Sequence, residues 1–221
     1  MFITFEGVEG SGKSSQVALL ANRLRAEGRA VRTTREPGGT PLAGAMRALL
    51  LHPDESLRAL GEASLAAHDE SAEAMLPITE ALLLSAARAQ HVARMREWLA
   101  AGETVLCDRY ADSTRAYQGA GRGLDETTVD ALERMATAGL RPDLTFLLDL
   151  PVEVGLARRR IATDGAWNRL DAETVAFHER VRAAYLALAA AEPDRWIILD
   201  ATQPPDALAE QIWQAIAQPL G

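Results

Sequence analysis

The stretch FITFEGVEGSGKSS, residues 2–15, decides how the rest of the chain is read. Its first four residues form a short apolar run of strand formers. Gly7, Gly12, Lys13 and Ser14 then fit G-x-x-x-x-G-K-[ST], the pattern of a phosphate-binding loop. In residues 14–27, Val17, Leu20, Ala21 and Leu24 recur at helical spacing, and Gly28 supplies a stop. A strand before the loop and an amphipathic helix after it are the context the pattern needs. Glycines let the backbone curl with its N–H groups inward, as an anion nest. The helix adds free N–H groups and the positive end of its dipole. The nest is expected to comprise Gly7, Val8, Glu9, Gly10, Ser11, Gly12, Lys13, Ser14 and Ser15, with the Ser14 hydroxyl as a ligand for Mg²⁺.

Of the 23 lysines and arginines in the chain, Lys13 is the sole lysine. An ammonium is a compact point charge on a flexible stem. A guanidinium is a planar fork that does not sit inside such a curl. Geometry therefore resists arginine at this one position.

The 221 residues fit one domain, and nearly half are hydrophobic, enough for a sizeable core. No apolar run is long enough to span a bilayer. The first residues, MFITFEGVEG, lack the basic start and long apolar stretch of an export signal, and one cysteine, Cys107, excludes an internal disulfide. The expectation is a cytoplasmic protein with no membrane partner. A net charge of −8 argues against a nucleic-acid partner but leaves room for one basic pocket.

Further strands are expected at 30–35, 104–108, 144–150 and 196–200, alternating with helices near 42–51, 78–101, 126–138, 152–163, 172–190 and 205–217. The last three strands are almost continuously apolar, which suits burial on both faces. The fold class is α/β: a five-stranded parallel sheet flanked by helices on both faces. Residues 52–76, acidic and rich in Ala and Ser, read as a loop with a helical turn or two.

A GTPase switch would carry D-x-x-G and N-K-x-D. No Asp has Gly three residues on, and a sole lysine at 13 makes the second motif impossible. A motor or transporter ATPase would need more chain. A small phosphotransferase remains. Ligands of open α/β sheets bind beyond the carboxyl ends of the strands, so Asp108 and Arg109, closing the third strand, belong near the loop. Asp108 can hold Mg²⁺ or its water, and Arg109 can clamp a transferring phosphoryl group. An Asp–Arg pair at a strand end is equally readable as a local salt bridge.

FEGVEGSGKSS, TREPGGT (34–40), EALLLSAARAQHV (80–92), DRYADSTRAYQGAGRG (108–123), RPDLTFLLDLPVEVGLARR (141–159) and DATQP (200–204) together resemble thymidylate kinases, along almost the whole chain. The resemblance implies a P-loop nucleoside monophosphate kinase fold, transfer of the ATP γ-phosphoryl to dTMP, Mg²⁺, and a homodimer. It implies that Arg109 holds the dTMP phosphate, Arg88 bonds thymine O4, and Thr114 sits at N3. Tyr117 would pack beside the deoxyribose with Gln118 next to it, and Glu9 would accept from the 3′-hydroxyl. Glu36 and Pro37 would line the phosphate side.

It further implies a lid at about 157–169, with Arg158 and Arg160 as its catalytic pair, joining Lys13, Asp108 and Arg109. The register against Arg159 is open, and Arg169 is placed to close on the nucleotide. RRR alone would read as a solvated helix face. Two features depart from the family pattern. Leu84 stands where an aromatic residue usually stacks on thymine, losing about 1 kcal/mol of stacking. The stretch 52–76 is long. The alternatives are a kinase of broader acceptor range, which Leu84 would suit, and a catalytically idle ATP-binding regulator.

Overall fold

The computed structural model describes residues 1–59, 74–162 and 167–217. Five parallel strands, β1 (Phe2–Glu6), β2 (Val31–Arg35), β3 (Thr104–Asp108), β4 (Leu144–Asp149) and β5 (Trp196–Asp200), form one sheet in the order β2-β3-β1-β4-β5. The chain leaves central β1 for the β2 edge, returns to β3 beside β1, and then crosses to β4 on the other side. The switch of direction opens a crevice beyond the carboxyl ends of β1 and β3. Register fixes what meets there. Phe5 pairs with Asp108, and Phe5 O accepts the Arg109 N–H at 3.0 Å.

Successive side chains of a strand point to opposite faces, and both faces here are covered. On one, Phe2, Val105 and Cys107 pack with Val92 and Met95 of α4 (Pro77–Ala100). On the other, Ile3, Phe5 and Leu106 join a larger core that includes Leu20 and Leu24 of α1 (Lys13–Ala26). The remaining helices are α2 (Pro41–Leu51), α3 (Pro53–Ala59), α5 (Ala111–Thr114), α6 (Glu126–Thr137), α7 (Val152–Ala162), α8 (Val175–Ala191) and α9 (Pro205–Ala217). Caps set three of their starts. Thr40, Asp125 and Thr174 each accept a backbone N–H of the first turn of α2, α6 and α8.

The alternation of strands and helices follows the sequence reading, with described boundaries shifted by at most three residues. In 52–76, α3 is a seven-residue helix, about the turn or two expected there, while 60–73 of that stretch lie outside the described residues. One element departs from the sequence reading. After β3, α5 runs into a π-helical segment, Arg115–Gly121, which carries Tyr117 and Gln118. π-turns recur at functional sites because the extra residue re-aims side chains.

The loop after β1 packs against α7 through two glycines. A Cβ on Gly10, whose φ is +71°, would lie 1.9 Å from Gly155 O, and a Cβ on Gly155 would lie 2.3 Å from Glu9 O. This backbone contact sets α7 over the crevice. Gly155→Ala is therefore expected to cost about 1–3 kcal/mol by overpacking and to lower Tm by roughly 3–10 °C. Thermal unfolding followed by circular dichroism checks it; an unchanged Tm would show that the contact relaxes freely.

Candidate active site

Lys13 lies at the first position of α1, its ammonium folded into the loop it follows. Nζ donates to Gly7 O at 3.0 Å, Val8 O at 2.8 Å and Ser11 Oγ at 3.0 Å. Burial, then the charge of Arg109, brings its pKa down to about 8, while Asp108, Glu9 and Glu6 pull the other way. Gly7, Val8 and Ser11 form the back of the curl. Glu9, Gly10, Gly12, Lys13, Ser14 and Ser15 face a cavity of about 400 Å³.

Arg109, first residue after β3, has φ +69°, an uncommon value for a residue with a side chain. The turn sends its guanidinium back over the crevice. One nitrogen donates to Glu9 at 2.9 Å and to Tyr117 Oη at 2.9 Å; the other lies 3.1 Å from Tyr185 Oη and 3.4 Å from Ser113 Oγ. Tyr117 Oη donates in turn to Glu9, and buried His178 stands 3.4 Å from it. Burial works against the Glu9 charge, but Arg109, His178 and Lys13 hold its pKa well below the ordinary glutamate value. Glu6 supports the group from below, accepting from Tyr110 N, Ser113 Oγ and Tyr185 Oη at 2.6–2.8 Å. Burial and neighbouring Asp112 raise its pKa to about 7.

The far side of the cavity is built on Arg88 of α4, which is 2% exposed. It donates to Glu36 at 2.7 Å, to Thr114 Oγ1 at 2.9 Å and to Tyr110 O at 3.1 Å. Glu36 also meets His91 at 3.0 Å; burial works against its charge, but Arg88 and His91 together hold its pKa below the ordinary glutamate value. Glu36, Pro37, Leu84, Arg88, Thr114, Tyr117 and Gln118 all line this space, with Asp108 and Arg109 between it and the loop.

On α7, Arg158 and Arg159 line the cavity, whereas Arg160 stacks over Trp167 at 5.1 Å. The expected pairing of Arg158 with Arg160 is thus not the pair this structure sets on the cavity. Residues two apart on a helix diverge by roughly 200°, so they do not share one face. Arg158 donates to Ala201 O at 2.7 Å, and Arg159 makes a two-pronged pair with Asp171 at 2.9–3.0 Å. Arg169 bonds Glu80 at 2.5 Å and the Leu50 carbonyl and does not line the cavity. Residues 163–166 of the expected lid lie outside the described residues.

The sequence reading missed Arg35, Arg47, Asn168 and Asp171, which share the cavity. Arg35 closes β2, so the strand-end rule that found Asp108 and Arg109 applies to it as well. Arg47 donates to Pro37 O at 3.0 Å; burial, Arg35 and Arg109 bring its pKa down to about 10. The lining holds seven Lys and Arg side chains against four Asp and Glu.

Oxygen ligands for a hard cation are present. The Ser14 hydroxyl donates to Asp108 Oδ2, so both reach one point. Among the described residues no group of three His, Cys, Asp or Glu could hold a metal. One hydroxyl and one carboxylate fit Mg²⁺ that arrives with phosphates and keeps its waters.

A parallel sheet with a lysine-bearing anion nest at its switch point, facing a second polar pocket, defines a P-loop phosphotransferase of the nucleoside monophosphate kinase fold. The model of the family Thymidylate kinase matches residues 5–74 and 63–212. The thymidylate kinase of Thermomicrobium roseum is 53% identical over 98% of this chain and 94% of its own length. That of Deinococcus radiodurans is 48% identical over 99% and 97%. The crystal structure of thymidylate kinase from Ehrlichia chaffeensis superposes with a TM-score of 0.67 at 29% identity, covering 98% of both chains. The chain belongs to the thymidylate kinase family.

Lys13 generates a pH prediction. With a pKa near 8 in the free protein, its charge is present below that pH and lost above it. A triphosphate favours the cation and raises the pKa. ATP affinity is therefore expected to weaken as pH rises through about 8, and binding at pH 8–9 should take up protons. Calorimetry in buffers of different ionisation enthalpy measures both. A flat affinity from pH 7 to 9 with no proton uptake would contradict the placement of Lys13. On folding the sign is opposite: the unfolded lysine holds its proton to a higher pH, so stability rises between about 8 and the ordinary lysine value.

Proposed function

We propose that this chain transfers the γ-phosphoryl group of ATP to the phosphate of dTMP, giving dTDP and ADP. The observation that carries this reading is the single cavity in which the Lys13 nest and the Arg88–Thr114–Tyr117–Gln118 pocket face each other across Arg109. The nest takes the donor phosphates on backbone N–H groups, and Lys13 turns from its carbonyl partners to the phosphates. Arg109 takes the acceptor phosphate, helped by Arg47 and Arg35. Mg²⁺, held by Ser14 and Asp108, supplies charge neutralisation to the donor phosphates when bound.

The acceptor oxygen belongs to a phosphate with a second pKa near 6, so it is mostly deprotonated at pH 7. No side chain is needed to remove a proton. Positioning and neutralisation carry the rate. Arg158 and Arg159 are placed to add charge at the donor side from α7, and 157–169 acts as a lid on a single domain. Arg88 donates to thymine O4, Thr114 meets N3, and Tyr117 packs against the sugar where a 2′-hydroxyl would crowd it. Its hydroxyl and Glu9 stand ready for the 3′-hydroxyl. A cytoplasmic homodimer completes the proposal; among the described residues no helix is long and apolar enough to cross a membrane.

Leu84 favours one second reading, a broader acceptor range, because a leucine covers the base without aromatic stacking. A panel of dTMP, dUMP, UMP, CMP, AMP and GMP with ATP and Mg²⁺ decides it. dTMP is expected to be consumed best; far better turnover of AMP or CMP would overturn the assignment. Lys13→Arg is expected to lower kcat by about 100-fold or more, on the scale of losing a preorganised electrostatic contact; near-normal turnover would remove Lys13 from the chemistry. Leu84→Phe is expected to lower KM for dTMP several-fold, on the scale of about 1 kcal/mol of stacking. An unchanged or raised KM would show that the base face is already filled.

A further inference from the structure

Glu80 has no role in the reaction described above, yet it is one of the most heavily bonded carboxylates in the fold. It sits in the first turn of α4 and is 1% exposed. Gln118 Nε2 donates to its Oε1 at 2.5 Å, and Arg169 Nη2 donates to its Oε2 at 2.5 Å. The Arg122 guanidinium lies at 3.3 and 3.4 Å. Its partners are themselves anchored: Arg169 to the carbonyls of Leu50 and Leu51 at the end of α2, and Arg122 to Glu173 at 2.5 Å.

A carboxylate facing two guanidinium groups has acceptors only. The Gln118 amide therefore has one allowed orientation, with its NH₂ on Glu80 and its carbonyl oxygen directed elsewhere. Gln118 lines the cavity and is only 2% exposed. Among the described residues no donor is paired with its Oε1. The hydrogen-bonding end that Gln118 has left for a ligand is an acceptor.

That distinction matters to a pyrimidine. Thymine carries a donor, N3–H, where cytosine carries a bare acceptor nitrogen. We propose that Glu80 is a specificity-determining positioning residue: by taking the NH₂ of Gln118 it commits the pocket to an acceptor facing the base, and so selects pyrimidines with an N3–H. This rests on the dTMP reading above. Arg88 presents donors to the O4 position, and Gln118, held by Glu80, presents an acceptor to the ring edge beside it. Glu80 itself acts through Gln118 and touches no base. A neutral amide at position 80 would let Gln118 turn, and the preference would lose the part that Gln118 adds to that of Arg88 and Thr114.

The test is the ratio of kcat/KM for dTMP to that for dCMP in the parent, Glu80→Gln, Gln118→Leu and the double variant. Glu80→Gln is expected to lower the ratio by about tenfold or more, the scale of one mis-set buried hydrogen bond. Gln118→Leu should lower it similarly, and the double variant should fall no further than Gln118→Leu alone. A merely structural Glu80 would lower turnover of both substrates by the same factor and leave the ratio unchanged; that result overturns the proposal. If Glu80→Gln does not fold, Gln118→Leu, which keeps Glu80 with both arginines, decides: an unchanged ratio overturns the proposal. A parent that consumes dCMP better than dTMP removes the dTMP reading, and this inference with it. A parent that prefers dTMP while Glu80→Gln keeps the parent ratio removes this inference alone.

Discussion

Lys13 and Arg109 are two like charges forced into one crevice and largely buried there, and the surrounding fold is arranged to hold them. The pairing of Phe5 with Asp108 leaves no choice about their meeting, since the loop after β1 and the residue after β3 emerge side by side. In a medium of low effective dielectric their repulsion is far larger than in water, and Arg109 is among the causes that depress Lys13. Glu6, Glu9 and Asp108 offset that repulsion. Carbonyls of the loop take the ammonium, and Glu9 with three hydroxyls takes the guanidinium. The cations are thus preorganised, and each has partners it can exchange for phosphate oxygens.

The same constraint explains Glu6, a carboxyl buried completely inside a sheet. It would be costly there without partners. It has a backbone N–H and two hydroxyls, and both hydroxyls also lie beside Arg109. Asp112, its charged neighbour, is itself paired with Arg195 in two-pronged fashion at 2.8–2.9 Å. Glu6, Ser113 and Tyr185 therefore form a hydrogen-bonded base beneath Arg109, and the left-handed backbone at Arg109 is held by what surrounds it.

The sheet, the loop and the strand-end pair were legible in sequence because each rests on local rules: apolar runs, glycine spacing, and ligands beyond carboxyl ends of strands. Arg88, Thr114 and Tyr117, and the sugar-side role of Glu9, were reachable only through family resemblance, since nothing local to α4 or the 115–121 segment announces a pocket. The structure brings them to one cavity. Arg47 was missed because it sits inside an amphipathic helix, where an arginine reads as a solvated face. Arg160 was preferred to Arg159 because a run of three identical residues gives no phase, whereas the geometry of α7 does. The bonds of Glu80 and Arg169 are long-range, 89 residues apart in the chain, and no periodicity encodes them.

A chain of net charge −8 nevertheless presents a cavity in which cations outnumber anions. The contrast is physically consistent, because exposed charges are screened beyond about 8 Å at physiological salt while buried ones are screened much less. The acidic exterior therefore does little to repel a nucleotide already in the crevice, and the interior cations act at close range. A small phosphate ester fits inside and meets Lys13, Arg47 and Arg109 together. An excess of cations over anions inside a concave site of about 400 Å³, within a chain whose net charge is −8, concentrates favourable potential where a small phosphate ester fits without making the whole surface basic.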